Sequence, residues 1–493
     1  MPIESIQIQP GVYRHGTDLE GAGRWRDVNF VRWRSGSLQP MGGWEEREKT
    51  GATLDQPPRG SLGWVDNSFV TRMAVGTHEK LFAISSSSGV TDITPTNSDY
   101  SAGIKDATDI VGFGKQNYGE QYYGTPREFE GVWEEATTWA LDSWGEYLVA
   151  CSVDDGFLYE WDLTSANASK ISNAPVNNLS LVTTAERFLF ALGAGGNPRK
   201  VQWCDKEDNT TWAPTATNEA GDFELSTNGE ILSGHRLRGK TLILTTTDAH
   251  VATYIGPQLV FRFERVGTSC GAISRHACVP NMEGAFWMGS KGFFVFNGSA
   301  VQEMQCDVLD YVFTDINKSQ SSKVFAMNNA QYGEAWWFYP SGSANENDRY
   351  VIYNYKENYW NIGELDRTAG FDAGVFRHPV MFDSSGKIYN HEFGYDHGGT
   401  APHAESGPIL FGSNIVKVNE VIPDEKTQGE ATLTFKTRFY PNGEETTHGP
   451  YTMANPVSAR FSGRQLRLRV NGSELIDWRF GVPRLNLLQG GKR

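Results

Sequence analysis

Ala285-Phe286-Trp287-Met288-Gly289-Ser290-Lys291-Gly292-Phe293-Phe294-Val295-Phe296 is the stretch that decides the fold. Two apolar, aromatic runs flank a Gly-Ser-Lys-Gly turn, which is the pattern of a β-hairpin. The same form recurs. Phe69–Ile84, Tyr147–Asp162, Phe188–Asp205, Thr241–Gly256, Ala285–Gly298, Ala335–Asn354 and Pro379–Gly394 each read as strand, short polar turn, strand. Their start-to-start spacings are 78, 41, 53, 44, 50 and 44 residues. Consecutive hairpin units of roughly 40–50 residues are how β-propeller blades look in sequence. A β-sandwich is the alternative, but its turns come about every 8–12 residues without this coarser period. The expectation is an all-β chain with a propeller of about six to seven blades.

The long first spacing predicts an insertion near Gly112–Arg127, where glycines alternate with Tyr118, Tyr122 and Tyr123. Those tyrosines are the candidate tip or gate loop, because long loops on compact domains often carry function. Met304, Val308, Val312 and Ile316 recur at i, i+4 and predict a helix over Glu303–Asn317. Three domains are expected: a β-rich segment over 1–60, the propeller body over 61–415, and a β domain over 416–493. In the first, Arg24, Arg26, Arg32 and Arg34 alternate with Trp25, Val31 and Trp33, as on strands with one basic and one apolar face. In the last, Leu433 and Phe435 precede Pro441-Asn442-Gly443, and Leu466, Leu468 and Val470 precede Asn471-Gly472. Both of these C-terminal stretches run into hairpin turn signals.

Composition agrees. Glycine is high, at 53 of 493 residues, and 15 Trp, 19 Tyr and 27 Phe favour pleated, half-buried surfaces. No apolar run approaches the roughly 18–20 residues of a membrane-spanning helix, and the start Met1-Pro2-Ile3-Glu4-Ser5 lacks the form of a signal peptide. The five cysteines contain no Cys-x-x-Cys pair, so neither a zinc site nor a disulfide framework is expected, and folding in a reducing cytoplasm is.

Charge is uneven. The chain has 44 Lys/Arg against 59 Asp/Glu, a net −15. Residues 460–493 hold eight basic and two acidic residues, a net +6. An acidic body argues against tight non-specific nucleic-acid binding, while the basic end suggests a contact surface. Arg460, Arg464, Arg467 and Arg469 are the candidate partner-docking residues.

Catalytic motifs are sparse. Gly193-Ala194-Gly195-Gly196-Asn197-Pro198 lacks the spacing of a phosphate-binding loop and reads as a hairpin turn. His391, Glu392, Asp396, His397 and His403 are clustered but not at a recognised ligand spacing. Ser152-Val153-Asp154-Asp155-Gly156 begins like the Asp-box turn of sialidase-type propellers but lacks the Thr that should follow. No cofactor, metal or catalytic residue is assigned, and the chain is expected not to be an enzyme.

Gly76-Thr77-His78-Glu79-Lys80-Leu81-Phe82, followed by Asp92-Ile93-Thr94-Pro95, resembles structural proteins of tailed bacteriophages. Val201-Gln202-Trp203-Cys204-Asp205 leading to Ala220–Leu225, Cys270-Gly271-Ala272-Ile273-Ser274, Glu334–Pro340 and Gly463-Arg464-Gln465 extend the resemblance over most of the chain. The family is the packaged-DNA stabilisation, or tail-nozzle, protein of short-tailed phages. The resemblance implies a virion protein assembled in the host cytoplasm. It would form a homohexamer at the distal end of the tail, below the portal and its adaptor ring. Each subunit would carry a β-propeller and surround a channel for genomic double-stranded DNA, which closes after packaging and opens for ejection. Adaptor and tail fibre or spike proteins are the implied partners. Two alternatives remain: a propeller-based receptor-binding or tail hub protein, and a propeller glycoside hydrolase or depolymerase.

Overall fold

The computed structural model describes residues 3–86, 89–96, 100–108, 134–282, 284–411 and 414–491. Seven antiparallel sheets succeed one another along the chain. Their innermost strands are Ser61–Val65, Trp139–Trp144, Ser180–Thr183, Ile231–Leu237, Cys278–Pro280, Phe325–Asn329 and Ala369–Phe371. Each packs against the innermost strands of both neighbouring blades, and the seventh packs against the first. This is a closed seven-bladed propeller. The seven hairpins read from the sequence are the two middle strands of the seven blades, for instance Ala285–Met288 paired with Phe293–Phe296 in blade 5. Those strands are legible because they are sandwiched between neighbouring blades and must be apolar on both faces.

The ring closes through the N-terminal region. Trp44–Arg47 is the outermost strand of blade 7, paired with Ile388–His391. Thr50–Gly51 adds a fifth strand to blade 1. Trp-Glu-Glu-Arg shows no apolar alternation because an outermost strand is largely solvated.

Aromatic side chains weld blade to blade. Trp139, Trp287 and Trp337 are fully buried. Their indole N–H groups donate to Thr77 O at 2.7 Å, in the middle turn of blade 1, and to Cys270 O at 2.7 Å and Ala277 O at 2.8 Å, both in the connection from blade 4 to blade 5. Each such ring contributes about 4–6 kcal/mol by buried area. Gly76 is needed for this packing, since a Cβ there would lie 2.3 Å from the Trp139 ring.

The terminal segments form one unit instead of two. One sheet has the order Ile3–Ser5, Arg484–Gln489, Val416–Ile422, Val457–Gly463. The other has the order Gln9–Val12, Arg24–Asn29, His403–Ser406, Gln465–Gly472, Ala431–Arg438, Thr446–Thr452, with Ile409–Leu410 beside Gln465–Gly472. The two sheets share a core that includes Val418, Leu433, Phe435, Phe461, Leu468 and Leu485. The expected boundaries at 60 and 416 therefore do not follow sheet membership. The first 60 residues divide between this sandwich, the closing strand of blade 7 and the edge of blade 1.

Two further expectations are corrected. The helix is only Leu309–Asp315, because Val301–Met304 is the outermost strand of blade 5 and must be extended. The alternating arginines are not on one face either. Phe30 has φ 52°, which breaks the run into Arg24–Asn29 and Val31–Arg34. Arg32 is consequently buried, at 1 % exposure. Among the described residues no helix is long and apolar enough to cross a membrane.

Candidate functional site

The order of strands gives the propeller two unlike faces. One face carries every connection from an outermost strand to the next innermost strand, together with every turn between two middle strands. Two clusters of polar side chains lie on that face.

The first is the axis. Arg59 precedes the innermost strand of blade 1, and Lys323 precedes that of blade 6. Arg59 Nη2 donates to Glu346 Oε1 at 2.6 Å. Lys323 Nζ donates to Asn345 O at 2.7 Å, to Glu346 Oε1 at 3.2 Å, and to Asp106. Arg275 pairs with Glu135. Burial, and then the neighbouring Arg59 charge, hold the Lys323 amine below its ordinary value. Beneath this network lies a cavity of about 120 Å³, lined among others by His235, His276, Cys278 and Thr368. Burial pushes both His235 and His276 down to about 4.

The inserted segment starts and ends over this axis. Ala107 N donates to Gln320 Oε1 at 3.1 Å, and Gln320 Nε2 donates to Ala107 O at 3.2 Å. Thr108 N donates to Glu134 O at 3.0 Å, which joins the two ends of the insertion. Tyr118, Tyr122 and Tyr123, the candidate tip or gate residues, lie outside the described residues.

The second place is an off-axis cleft of about 650 Å³ over blades 3, 4 and 5. Arg199, Arg265 and Lys291 stand around it, and Thr227, Thr246, Thr247, Thr268, Ser269 and Ser290 line it. Its floor is a buried carboxylate. Asp248 accepts from Thr245 Oγ1 at 2.6 Å and Thr227 Oγ1 at 2.8 Å, and lies 3.1 Å from His250 Nε2.

Other sequence candidates resolve as braces. Gly193, Gly195 and Gly196 take φ of 67°, 69° and 76° in the turn between the middle strands of blade 3. Asp155 accepts from Phe157 N at 3.0 Å and Tyr159 OH at 2.8 Å, which pins the middle turn of blade 2. Burial raises its carboxyl to about 6 despite those bonds.

The members of the histidine cluster each meet a separate partner. Arg367 Nε donates to His391 Nε2 at 2.8 Å, Glu392 pairs with Arg32, His397 Nε2 meets Met41 O at 3.1 Å, and His403 faces Asp27 at 3.5 Å. Among the described residues no group of three or more His, Cys, Asp or Glu is set to hold a metal ion. The five cysteines are free and buried.

The docking arginines differ from one another. Arg467 pairs with Asp18 and, at 3.2 Å, with Glu445. Arg469 pairs with Glu405 at 3.2 Å. Arg464 lies over the Tyr440 ring, 5.5 Å from its centre. Arg460 is exposed. Three of the four are therefore already engaged within the sandwich, Arg469 because Glu405 sits directly opposite it in the strand register.

Sequence reading missed the axial network altogether. Arg59, Asp106, Lys323 and Glu346 come from separate connections and share no motif. The one local signal was Lys323 immediately before an apolar strand start.

No family profile matches the chain, and no curated protein matches it. Solved structures do resemble it. A streptogramin B lyase has 8 % identity over 70 % of this chain and 96 % of its own, with a TM-score of 0.42. A catalytically inactive virginiamycin B lyase from Staphylococcus aureus, solved with quinupristin, has 9 % identity over 70 % and 97 %, with a TM-score of 0.37. A fungal alcohol oxidase solved with copper has 10 % identity over 100 % and 99 %, with a TM-score of 0.37. The expectation that the chain is not an enzyme does not stand beside neighbours named as lyases and an oxidase, although a likeness of this kind shows the fold alone. A propeller hosts catalysis and assembly alike, and the fold decides between neither.

Proposed function

We propose that the chain is a structural component of a short-tailed phage tail, forming with further copies of itself the distal nozzle ring. That ring, taken as a hexamer by resemblance, closes the DNA channel after packaging and opens for ejection. It sits in the virion against the adaptor ring and the fibre or spike proteins.

One observation carries the reading. Two of the stretches that resemble the family are places where a blade is braced, so the likeness there falls on interacting residues. Lys80 pairs with Asp92 at 2.9 Å, Asp92 accepts from Thr94 Oγ1 at 2.5 Å, and Leu81 N donates to Thr94 Oγ1 at 3.0 Å. The Gly-Thr…Lys-Leu-Phe and Asp-Ile-Thr-Pro pieces are thus one unit of blade 1. The stretch at 201–225 behaves likewise in blade 3, where Trp203 Nε1 donates to Glu219 O at 2.8 Å.

Charge suits a conduit. Duplex DNA carries one charge per about 1.7 Å of axis, and a basic wall would hold it by counterion release. Residues 44–402 hold 27 Lys/Arg against 46 Asp/Glu. The axial cavity of about 120 Å³ under its ion pairs is far too small for a duplex. In this reading the DNA therefore passes between copies, along their outer surfaces. Arg460, exposed at the sandwich surface, is the remaining docking candidate for an acidic tail neighbour.

The test is the native mass and symmetry of the purified protein, alone and mixed with the tail proteins encoded beside it. A six-fold ring, alone or on the adaptor, is expected. A persistent monomer or trimer with no affinity for tail partners would overturn the reading.

A further inference from the structure

We infer that the off-axis cleft over blades 3 to 5 binds an acidic saccharide.

Charge is the first ground. The propeller carries 46 acids against 27 bases, yet three cations from three blades converge on this cleft: Arg199, Arg265 and Lys291. Asp248 is the one carboxylate in its lining, and it is buried, with two hydroxyl donors on its Oδ1. The existing pairs are weakly held. Arg265 lies 3.9 Å from Asp248, and Arg199 meets Glu224 at 2.5 Å with both side chains about half exposed. The Arg199–Glu224 pair, exposed on both sides, contributes about 0–1 kcal/mol, so a ligand carboxylate can replace it at little cost.

Hydroxyls are the second ground. Each threonine or serine hydroxyl both donates and accepts, which is what the vicinal hydroxyls of a sugar require. The cleft offers them from three blades, with Phe294 at its wall as an apolar surface for a sugar ring. They are held in place. Thr247 N donates to Thr245 Oγ1 at 3.1 Å, which fixes the 245–248 turn on the Asp248 carboxylate and leaves Thr246 and Thr247 exposed. Gly271 backs the same turn so closely that a Cβ would lie 2.0 Å from Thr246 O.

Size is the third ground. A cleft of about 650 Å³ lies within the roughly 300–1,000 Å³ range of small-ligand sites. A long polyanion would leave the cleft and run over acidic surface, whereas a short acidic oligosaccharide is neutralised where it sits.

Calorimetric titration of the full chain with a short oligogalacturonate tests this, with a maltooligosaccharide and inorganic sulfate as controls. The oligogalacturonate should bind. Arg265→Glu and Lys291→Glu, both at exposed side chains, should each weaken it by about tenfold or more, the value of one charge-assisted hydrogen bond. Lys417→Glu makes the same charge change on the sandwich, at an exposed side chain, and should leave binding unaltered. No binding, equal binding of the neutral sugar, or equal loss in Lys417→Glu would each overturn the proposal. So would sulfate competing at the same concentration as the oligogalacturonate, which would reduce the site to one for a free oxyanion.

Discussion

The propeller and the terminal sandwich handle charge in opposite ways. Residues 44–402 hold 46 acidic against 27 basic residues, whereas 1–43 and 403–493 together hold 17 basic against 13 acidic. The propeller's surplus stays largely at its surface, because its blades are filled by apolar and aromatic side chains. The sandwich's surplus is partly consumed inside. Glu405 alone meets Lys436 at 2.9 Å, Arg469 at 3.2 Å and Arg467 at 3.8 Å. A charge count along the chain therefore gives the balance of a unit but not its exposed face. On a sheet, what a strand shows to solvent depends on what its neighbours place opposite.

The seam between the two regions should show the largest effect. Arg32, on the hairpin formed by Val31–Arg34 and Ser37–Pro40, reaches Glu334 of blade 6 at 3.1 Å and Glu392 beyond blade 7 at 2.5 Å. Its guanidinium also lies 3.6 Å over the Tyr332 ring. Burial opposes the charge, but the two carboxylates outweigh it and hold Arg32 protonated more firmly than usual. Arg32→Ala leaves two carboxylates buried without a cation, at a cost of about 3–5 kcal/mol. Urea unfolding of the full chain measures this. A loss below about 1 kcal/mol would show that apolar packing of Trp25, Trp33 and Tyr359, and not the ion cluster, holds the seam.

A smaller effect is expected inside the sandwich. Glu405→Gln keeps the shape but removes the charge that three cations share, at about 1–2 kcal/mol. Amide exchange should quicken in His403–Ser406 and Gln465–Gly472 and stay unchanged in the blades. Spread of the effect into blade 6 would mean that the two regions unfold as one.

Much of the propeller was legible because each blade's middle strands have no solvated face, so Trp287 and Phe293 announce themselves as runs. The outer strands were not. Trp44–Arg47 closes blade 7 with a sequence that is mostly charged, and its role is set by a partner more than 340 residues away. The sandwich strands showed their alternation at Leu466, Leu468 and Val470, but nothing local could assign Arg24–Asn29 to the same sheet. The candidate site was the least legible part. The cleft draws Arg199, Arg265 and Lys291 from three blades, and the axial network draws on connections from residue 59 to residue 346. Only closure of the ring brings either set together.

The axis also gives the two regions different responses to acid, and this is the smallest of the expected effects. His235 and His276, near the propeller axis, are held at about 4 by burial, against about 6.5 for an unperturbed imidazole. Between those values the unfolded chain takes up protons that the fold refuses, so their contribution to stability falls as pH drops from about 6.5 towards 4. Asp155 works the other way. Burial raises its carboxyl to about 6, so the fold binds that proton more readily than the unfolded chain. The acid profile of the whole protein is thus a sum of opposing parts, and a variant is needed to isolate one of them. The double variant His235→Gln/His276→Gln should gain stability relative to the parent as pH falls from 7 to 4.5, and a difference that stays flat over that range would sink the assignment. In the parent, exchange at pH 5 should quicken first along Ile231–Leu237 and Cys278–Pro280. The sandwich strand Gln465–Gly472 carries no histidine and should keep its protection.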